Sequence, residues 1–308
     1  METRYAVASF TGRRHMETGN EDSFLAIDLG DGWYAFAVLD GISSLKDGYG
    51  TSRLAGGFIE KNLESFRNWE GSIKEYLCQL VVHVQQAILS EHSKEMPTGT
   101  TMTLCLVDNN TDTLHIAHIG DSPVLCIHQD EIYPLTVEDD IIDPRNGQIH
   151  LAKYIGQSQP IDVGTLYSTT HLQDGDKLII CTDGLTNPFK GEERTLLQMT
   201  YTVNELEDFV ENMAKTAQQL GTDDVTLILV DYHSSKESVE ITSEQVDELI
   251  KVQTRSAKGI IMLLWIAIAF LLGVMSSYVI LRPHTSHNIV HQESDTSNNA
   301  QYENESQD

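Results

Sequence analysis

The sequence predicts an α+β fold of antiparallel sheets covered by amphipathic helices, followed by one transmembrane helix. Three observations carry this. Eight short strand-like runs, rich in β-branched and aromatic residues, come in neighbouring groups. The amphipathic helices arrive as a pair and then a late single one, not in β-α-β-α alternation. Finally, Gly259–Leu281 is a long, predominantly apolar run with no charged residue.

The strand runs are Tyr5–Phe10, Phe24–Ile27, Trp33–Leu39, Thr101–Val107, Thr113–Ile119, Val124–His128, Lys177–Cys181 and Val225–Asp231. Turn signals at Asp108-Asn109-Asn110 and Asp174-Gly175-Asp176 mark hairpins between neighbours. The first helix, Gly50–Phe66, puts Leu54, Phe58 and Leu63 on one side. Ile73–Glu91 carries Leu77, Leu80, Val81, Val84 and Ile88 at spacings of three and four. Val203–Leu220 carries Leu206, Phe209, Val210, Met213 and Ala217, with Asn204 as its cap candidate. Residues 1–232 thus read as one domain and 233–258 as a polar juxtamembrane segment, partly helical from Ser243.

As a helix, 259–281 is about 34 Å long at ~1.5 Å per residue, enough for a hydrocarbon core of about 30 Å. Lys251, Arg255 and Lys258 precede it and only Arg282 follows closely, so the positive-inside rule keeps the N-terminal part cytoplasmic. The tail, 282–308, is rich in Ser, Asn, Gln and Glu and reads as disordered. Ala269, Gly273 and Ser277 recur every fourth residue, a small-residue face for helix pairing. The N-terminal METRYAVASF has no basic stretch leading into a long apolar core, so no secretory signal is expected.

The 308 residues hold 20 basic and 46 acidic side chains, a net charge of −26. That excludes a nucleic-acid partner, which needs a basic surface, and electrostatic adsorption to an anionic membrane. At 40% hydrophobic residues the chain is not disordered. Cys78, Cys105, Cys126 and Cys181 form no C-x-x-C pair, and three lie in apolar runs, so they read as buried, reduced side chains. His115 and His118, three apart on a strand, face opposite ways and read as packing or surface residues.

Most acids in such a chain are solvated. Those at strand ends fit that account poorly. Asp40 closes YAFAVLD-G, Asp183 closes DKLIICTD-G, Asp223 precedes VTLILV, and Glu21 and Asp22 precede the strand at Phe24. Converging carboxylates repel unless a cation compensates. An oxygen-only set suits Mg²⁺ or Mn²⁺ rather than zinc.

Eight motifs, in order, now resemble one known family. They are Asn20–Ser23 (N-E-D-S), Val38–Gly41 (V-L-D-G), Gly50–Gly56 around Ser52 and Ala55, Thr98–Thr101 (T-G-T-T), His118–Ser122 (H-I-G-D-S), Tyr154–Gly156 (Y-I-G), Gly175–Leu185 (G-D-K-L-I-I-C-T-D-G-L) and Asp223–Thr226 (D-D-V-T). Over residues 5–232 the chain resembles the metal-dependent type-2C protein phosphatases, the PPM family. The resemblance implies a four-layer αββα sandwich of two antiparallel sheets flanked by helices, with two Mn²⁺ or Mg²⁺ ions at one end. Asp40 resembles the carboxylate that bridges the ions, with the Gly41 carbonyl beside it. Asp183 and Asp223 resemble ligands of one ion, Glu21 and Asp22 resemble acids that hold an ion or its waters, and Asp121 matches the acid used for a third ion. It further implies hydrolysis of phosphoserine and phosphothreonine in proteins by a hydroxide bridging the two ions, without a phosphoenzyme.

The chain departs from the pattern in three places. The family's phosphate-binding Arg before N-E-D is represented by Arg13, Arg14 or His15, of which Arg14 is the first choice. The His that often follows Asp-Gly is replaced by Ile42, with none in ISSLKDGYG. Asp224 stands where Asn is usual. The competing expectation is a catalytically silent binding module of the same fold; retention of Asp40, Asp183 and Asp223 favours the enzyme.

Overall fold

The computed structural model describes residues 3–91, 97–192, 194–199 and 205–235. The chain divides into two units, Met1–Glu237 and Ser238–Asp308, and the second lies outside the described residues. The expected span 259–281, the tail 282–308, the Ala269/Gly273/Ser277 face and most of 233–258 therefore fall outside as well. Among the described residues no helix is long and apolar enough to cross a membrane.

The strands are β1 (Arg4–Phe10), β2 (Ser23–Gly30), β3 (Trp33–Leu39), β4 (Met102–Asp108), β5 (Thr113–Ile119), β6 (Val124–His128), β7 (Glu131–Pro134), β8 (Asp140–Ile142), β9 (Ile149–Leu151), β10 (Tyr167–His171), β11 (Lys177–Cys181) and β12 (Val225–Asp231). The helices are α1 (Gly48–Leu63), α2 (Ile73–Glu91), α3 (Asp183–Thr186), α4 (Arg194–Met199) and α5 (Leu206–Leu220). One sheet runs β1-β12-β11-β6-β7 and the other β10-β5-β4-β3-β2, while β8 and β9 form a separate hairpin. Neighbouring strands are antiparallel.

Three apolar layers hold the four structural layers together. In β3, Tyr34, Phe36 and Val38 join Cys105, Val107, Ile180, Ile228 and Val230 between the sheets. The alternate residues Ala35, Ala37 and Leu39 face α1 and α2, packing with Ile59, Leu77, Val84 and Leu104. On the far side, Ile179, Leu227 and Leu229 meet Phe209, Val210 and Met213 of α5. The central strands are therefore buried on both faces. This explains why they read as near-continuous apolar runs although their pairing is antiparallel.

Several elements differ from the sequence reading. The first helix starts at Gly48, because Asp47 adopts a left-handed conformation (φ 54°) and its Oδ1 accepts the Gly50 N–H. It ends at Leu63, and a separate 3₁₀ turn follows at Phe66–Asn68. The late helix starts at Leu206 after Glu205, and Asn204 lies outside the described residues. Strands β7 to β10 are additions: they are short, half-exposed or edge elements without a clear apolar alternation. The Asp174-Gly175-Asp176 turn is not a hairpin. It carries the chain from β10 in one sheet to β11 in the other, with Leu172 buried between the sheets.

Phe36, fully buried between the sheets, tests this layering. Phe36→Ala is expected to cost about 3–5 kcal/mol, read as a lower midpoint in urea unfolding with an unchanged slope.

Candidate active site

The acids singled out by position converge on one end of the sandwich. Asp40 follows β3. Its backbone N–H donates to Thr101 Oγ1 (2.9 Å), and its carbonyl accepts from the Thr101 N–H (2.9 Å) and the Thr100 hydroxyl (2.8 Å). The next residue, Gly41, donates its N–H to the Glu21 carbonyl (3.2 Å). A Cβ on Gly41 would run into the backbone of Gly48 and Glu21, so only glycine lets these loops approach. Glu21 is held in turn by the Ser52 hydroxyl on its carbonyl (2.5 Å).

Asp22 is buried and takes the Thr182 hydroxyl on Oδ2 (3.0 Å). Its Oδ1, like Glu21 Oε2, is buried without a hydrogen-bond partner. Asp183 opens the short helix α3, and its Oδ2 accepts from the Asn187 amide (2.8 Å). A Cβ on the next residue, Gly184, would collide with the Asp224 carbonyl, so the turn after β11 lies hard against the start of β12.

The electrostatics record the convergence. Burial, then repulsion from Asp22, Asp183, Asp121 and Asp223, pushes Asp40 well above the usual carboxylate range. Burial, with added repulsion from Asp224 and Asp183, raises Asp22 to about 8. Burial and the nearby Asp183 raise Asp121 to about 7, and burial and Asp223 raise Asp183 to about 6. Among the described residues, however, no three His, Cys, Asp or Glu side chains are gathered tightly enough to form a ready ligand shell. The acids line a cleft rather than close around a point.

Of the three residues offered for phosphate contact, the structure separates the roles. Arg14 Nη1 lies 2.9 Å from Asp223 Oδ2 on the cleft rim, about half exposed. Arg13 instead donates to the carbonyls of Gln219 (3.2 Å) and Gly221 (2.8 Å) at the end of α5. His15 is buried against Asp224, with Nδ1 to Oδ2 at 2.7 Å.

Two features were not read from the sequence. Asp121 and Asp183 share a pocket of about 300 Å³ with Glu138, Asp140, Asn187 and Lys190, lined also by Ile149 and Leu151 of the β8–β9 hairpin. The acidic run Glu138-Asp139-Asp140 was the available signal. The second is the bonding of Asp224, which accepts from the backbone N–H groups of Gly12 (2.7 Å) and Glu21 (2.7 Å) and lies 2.7 Å from His15 Nδ1. His115 and His118 serve packing: His115 lies against Trp33 and Tyr167, and His118 bonds Thr103 Oγ1 (2.8 Å).

Comparison with known proteins identifies the family and the fold. A family profile described as protein phosphatase 2C matches residues 11–230. The chain is 29% identical over 148 residues to the protein phosphatase PhpP of Streptococcus pneumoniae, covering 43% of this chain and 57% of that protein, so it spans little more than half of that relative. The Streptococcus agalactiae serine/threonine phosphatase superposes with a TM-score of 0.62 at 20% identity, over 74% of this chain and 98% of that one. The catalytic domain of the serine/threonine protein phosphatase PstP, solved with two manganese ions, gives a TM-score of 0.58 at 24% identity, over 74% of this chain and 97% of that one. These likenesses establish the shared fold.

The raised acids fix a pH dependence for the metal-free protein. A carboxyl whose pKa rises from 3.8 to about 8 binds more protons folded than unfolded at intermediate pH, so its stabilising effect, full at low pH, is lost as pH rises toward 8. Asp22→Asn is therefore expected to raise the melting temperature of metal-free protein at pH 8.5 and to change it much less at pH 4. Calorimetry at the two pH values checks this.

Proposed function

From the premise that the chain belongs to the protein phosphatase 2C family over residues 11–230, we propose that it is a metal-dependent phosphatase of phosphoserine and phosphothreonine in proteins. The observation that carries this reading is the gathering of Glu21, Asp22, Asp40, Asp121, Asp183 and Asp223 around one cleft, with Glu21 Oε2 and Asp22 Oδ1 buried and without hydrogen-bond partners.

The donor set fits hard divalent cations. All the candidate ligands are oxygens: Glu21, Asp22, Asp40, the Gly41 carbonyl, Asp183 and Asp223, with Asp121 available to a third ion. Burial, and then mutual repulsion, raises the metal-free carboxylates, and a dication would offset both. Mn²⁺ or Mg²⁺, two ions with room for a third, is the proposed cofactor. When bound, the ions supply Lewis acidity to the phosphoryl oxygens and to water.

The chain's own residues do the rest. Arg14, on the rim beside Asp223, supplies a guanidinium for the phosphate oxygens. The Thr100 and Thr101 contacts to Asp40 hold its backbone and so fix the point from which its carboxylate reaches the cleft. No thiol takes part: burial raises Cys105 and Cys181 far above the ordinary thiol range and Cys126 to about 11.

The membrane reading belongs to the same proposal. Residues 259–281 would anchor the chain with the catalytic domain in the cytoplasm, and Ala269, Gly273 and Ser277 would offer a pairing face.

Purified protein is expected to hydrolyse p-nitrophenyl phosphate with millimolar Mn²⁺, to resist N-ethylmaleimide, and to lose activity to background in Asp40→Asn. A rate no higher than buffer would instead support the silent module. Protease added outside sealed cells should clip residues 282–308 and spare residues 1–232; protection of the tail would reverse the orientation.

A further inference from the structure

The β8–β9 hairpin lines one side of the cleft pocket, yet its apolar side chains do not hold it there. Ile141, Ile142 and Ile149 are exposed. At its base lies a second cavity of about 310 Å³, lined by His118, Val137, Asp139 and Lys153 among others. Polar contacts fasten the hairpin instead, and they converge on one residue that has no part in the chemistry above. Asp139 donates its N–H to the Gly120 carbonyl (2.8 Å), and its Oδ2 accepts the Gly120 N–H (3.1 Å). Its carbonyl accepts the Ala152 N–H (2.6 Å) from the returning chain, and its Oδ1 takes the Lys153 ammonium (2.5 Å).

The other side of Gly120 is equally committed. Its φ is 116°, and a Cβ there would lie 2.7 Å from the Thr101 side chain. Thr101 Oγ1 meets Ser122 Oγ at 2.7 Å, and Thr103 Oγ1 donates to the Ser122 carbonyl (2.5 Å). Asp121 therefore sits between two residues that are each tied down, Gly120 by Asp139 and Ser122 by Thr101 and Thr103. From Asp139 the chain runs directly into Asp140, which lines the same pocket as Asp121. One side chain thus joins the end of β5, which leads into Asp121, to the hairpin beside it. A carboxylate suits this place: its two oxygens accept from Gly120 and Lys153 at once, and the Lys153 ammonium balances its charge.

We propose that Asp139 is a positioning residue for Asp121: by clamping Gly120 to the base of the hairpin it fixes where the Asp121 carboxylate stands in the pocket, and with it the affinity of the third, most loosely held cation. The proposal rests on the metal-dependent reading and deepens it, since Asp139 acts on that cation only through Asp121.

The test titrates the full chain with Mn²⁺ and follows the unbound ion by electron paramagnetic resonance, which reads affinity without substrate or turnover. Outer partners of metal ligands typically carry about 10–100-fold in affinity, so Asp139→Ala is expected to weaken the loosest Mn²⁺ about tenfold and to leave the tight ions unchanged. Asp121→Asn should weaken the same ion. The two substitutions together should weaken it no further than Asp121→Asn alone, because one acts through the other. Additive losses, an unchanged loose ion in Asp139→Ala, or equal weakening of every ion would each overturn the assignment. Asp139→Asn combined with Lys153→Met keeps an acceptor for the Gly120 N–H at the same net charge, and should restore the loose ion to within about twofold. Failure of that rescue would make charge, not placement, the cause, and would also overturn it. Should Asp139→Ala lose its cooperative thermal transition, Lys153→Met is read in its place and must weaken the loose ion alone. Hydrolysis of p-nitrophenyl phosphate by the same samples separates the two readings. Turnover without a loose Mn²⁺ leaves the phosphatase and removes the role of Asp139. Mn²⁺ binding without turnover removes the phosphatase and leaves the paired substitutions to decide. No Mn²⁺ binding at all removes both.

Discussion

Everything at the open end of the sandwich follows from the cost of placing carboxylates side by side out of water. Asp22 and Asp40 sit there, and each is raised first by burial and then by repulsion from its neighbours. A fold maximising its own stability would not retain them, since neutral side chains would fill the space at less cost. Such a cluster is stored repulsion, and a cation is what releases it. Asp224 shows the contrast: it is as buried as Asp22, yet the Gly12 and Glu21 N–H groups and His15 satisfy it from within the chain. The two kinds of acid divide the labour, one keeping lone pairs free and the other tying loops together.

The scaffold makes this arrangement possible by keeping the strain local. The sheets are locked along most of their length by apolar layers on both faces, so their ends are fixed points. β3 delivers Asp40, β11 delivers Asp183, and β12 starts just after Asp223 and Asp224. Antiparallel neighbours bring the end of β11 beside the start of β12, which is why acids so far apart in sequence share a cleft. Small residues finish the fit: Gly41 against Gly48 and Gly184 against Asp224 allow backbones closer than any side chain would permit.

The strand-end acids were legible in the sequence because an acid closing an apolar run followed by glycine is a local pattern. So were the central strands and the two long helices, whose periodicity is set by burial on defined faces. The β8–β9 hairpin was not, since Ile141, Ile142 and Ile149 are exposed and carry no core-facing alternation. The turn at 174–176 was misread because a turn signal says that the chain reverses, not which sheet it enters. His15 and Asp224 were separately visible, one as a candidate phosphate contact and the other as a departure from the family pattern. Their pairing spans 209 positions and belongs to the tertiary structure alone.

The charge of the whole chain sharpens what the cleft must do. A phosphate ester carries negative charge, and here it approaches a surface of the same sign lined by acids. The nearby cationic side chains give little relief: Arg14 is paired with Asp223, and Lys190 lies 3.4 Å from Glu138. Steering by the protein field is thus unfavourable, and only cations seated among the acids reverse the local sign. On this reading the ions do two jobs, supplying the chemistry and making the cleft habitable for its substrate. Raising ionic strength should therefore hinder a metal-loaded enzyme less than an electrostatically steered one, because salt screens the long-range repulsion as well as the short-range attraction.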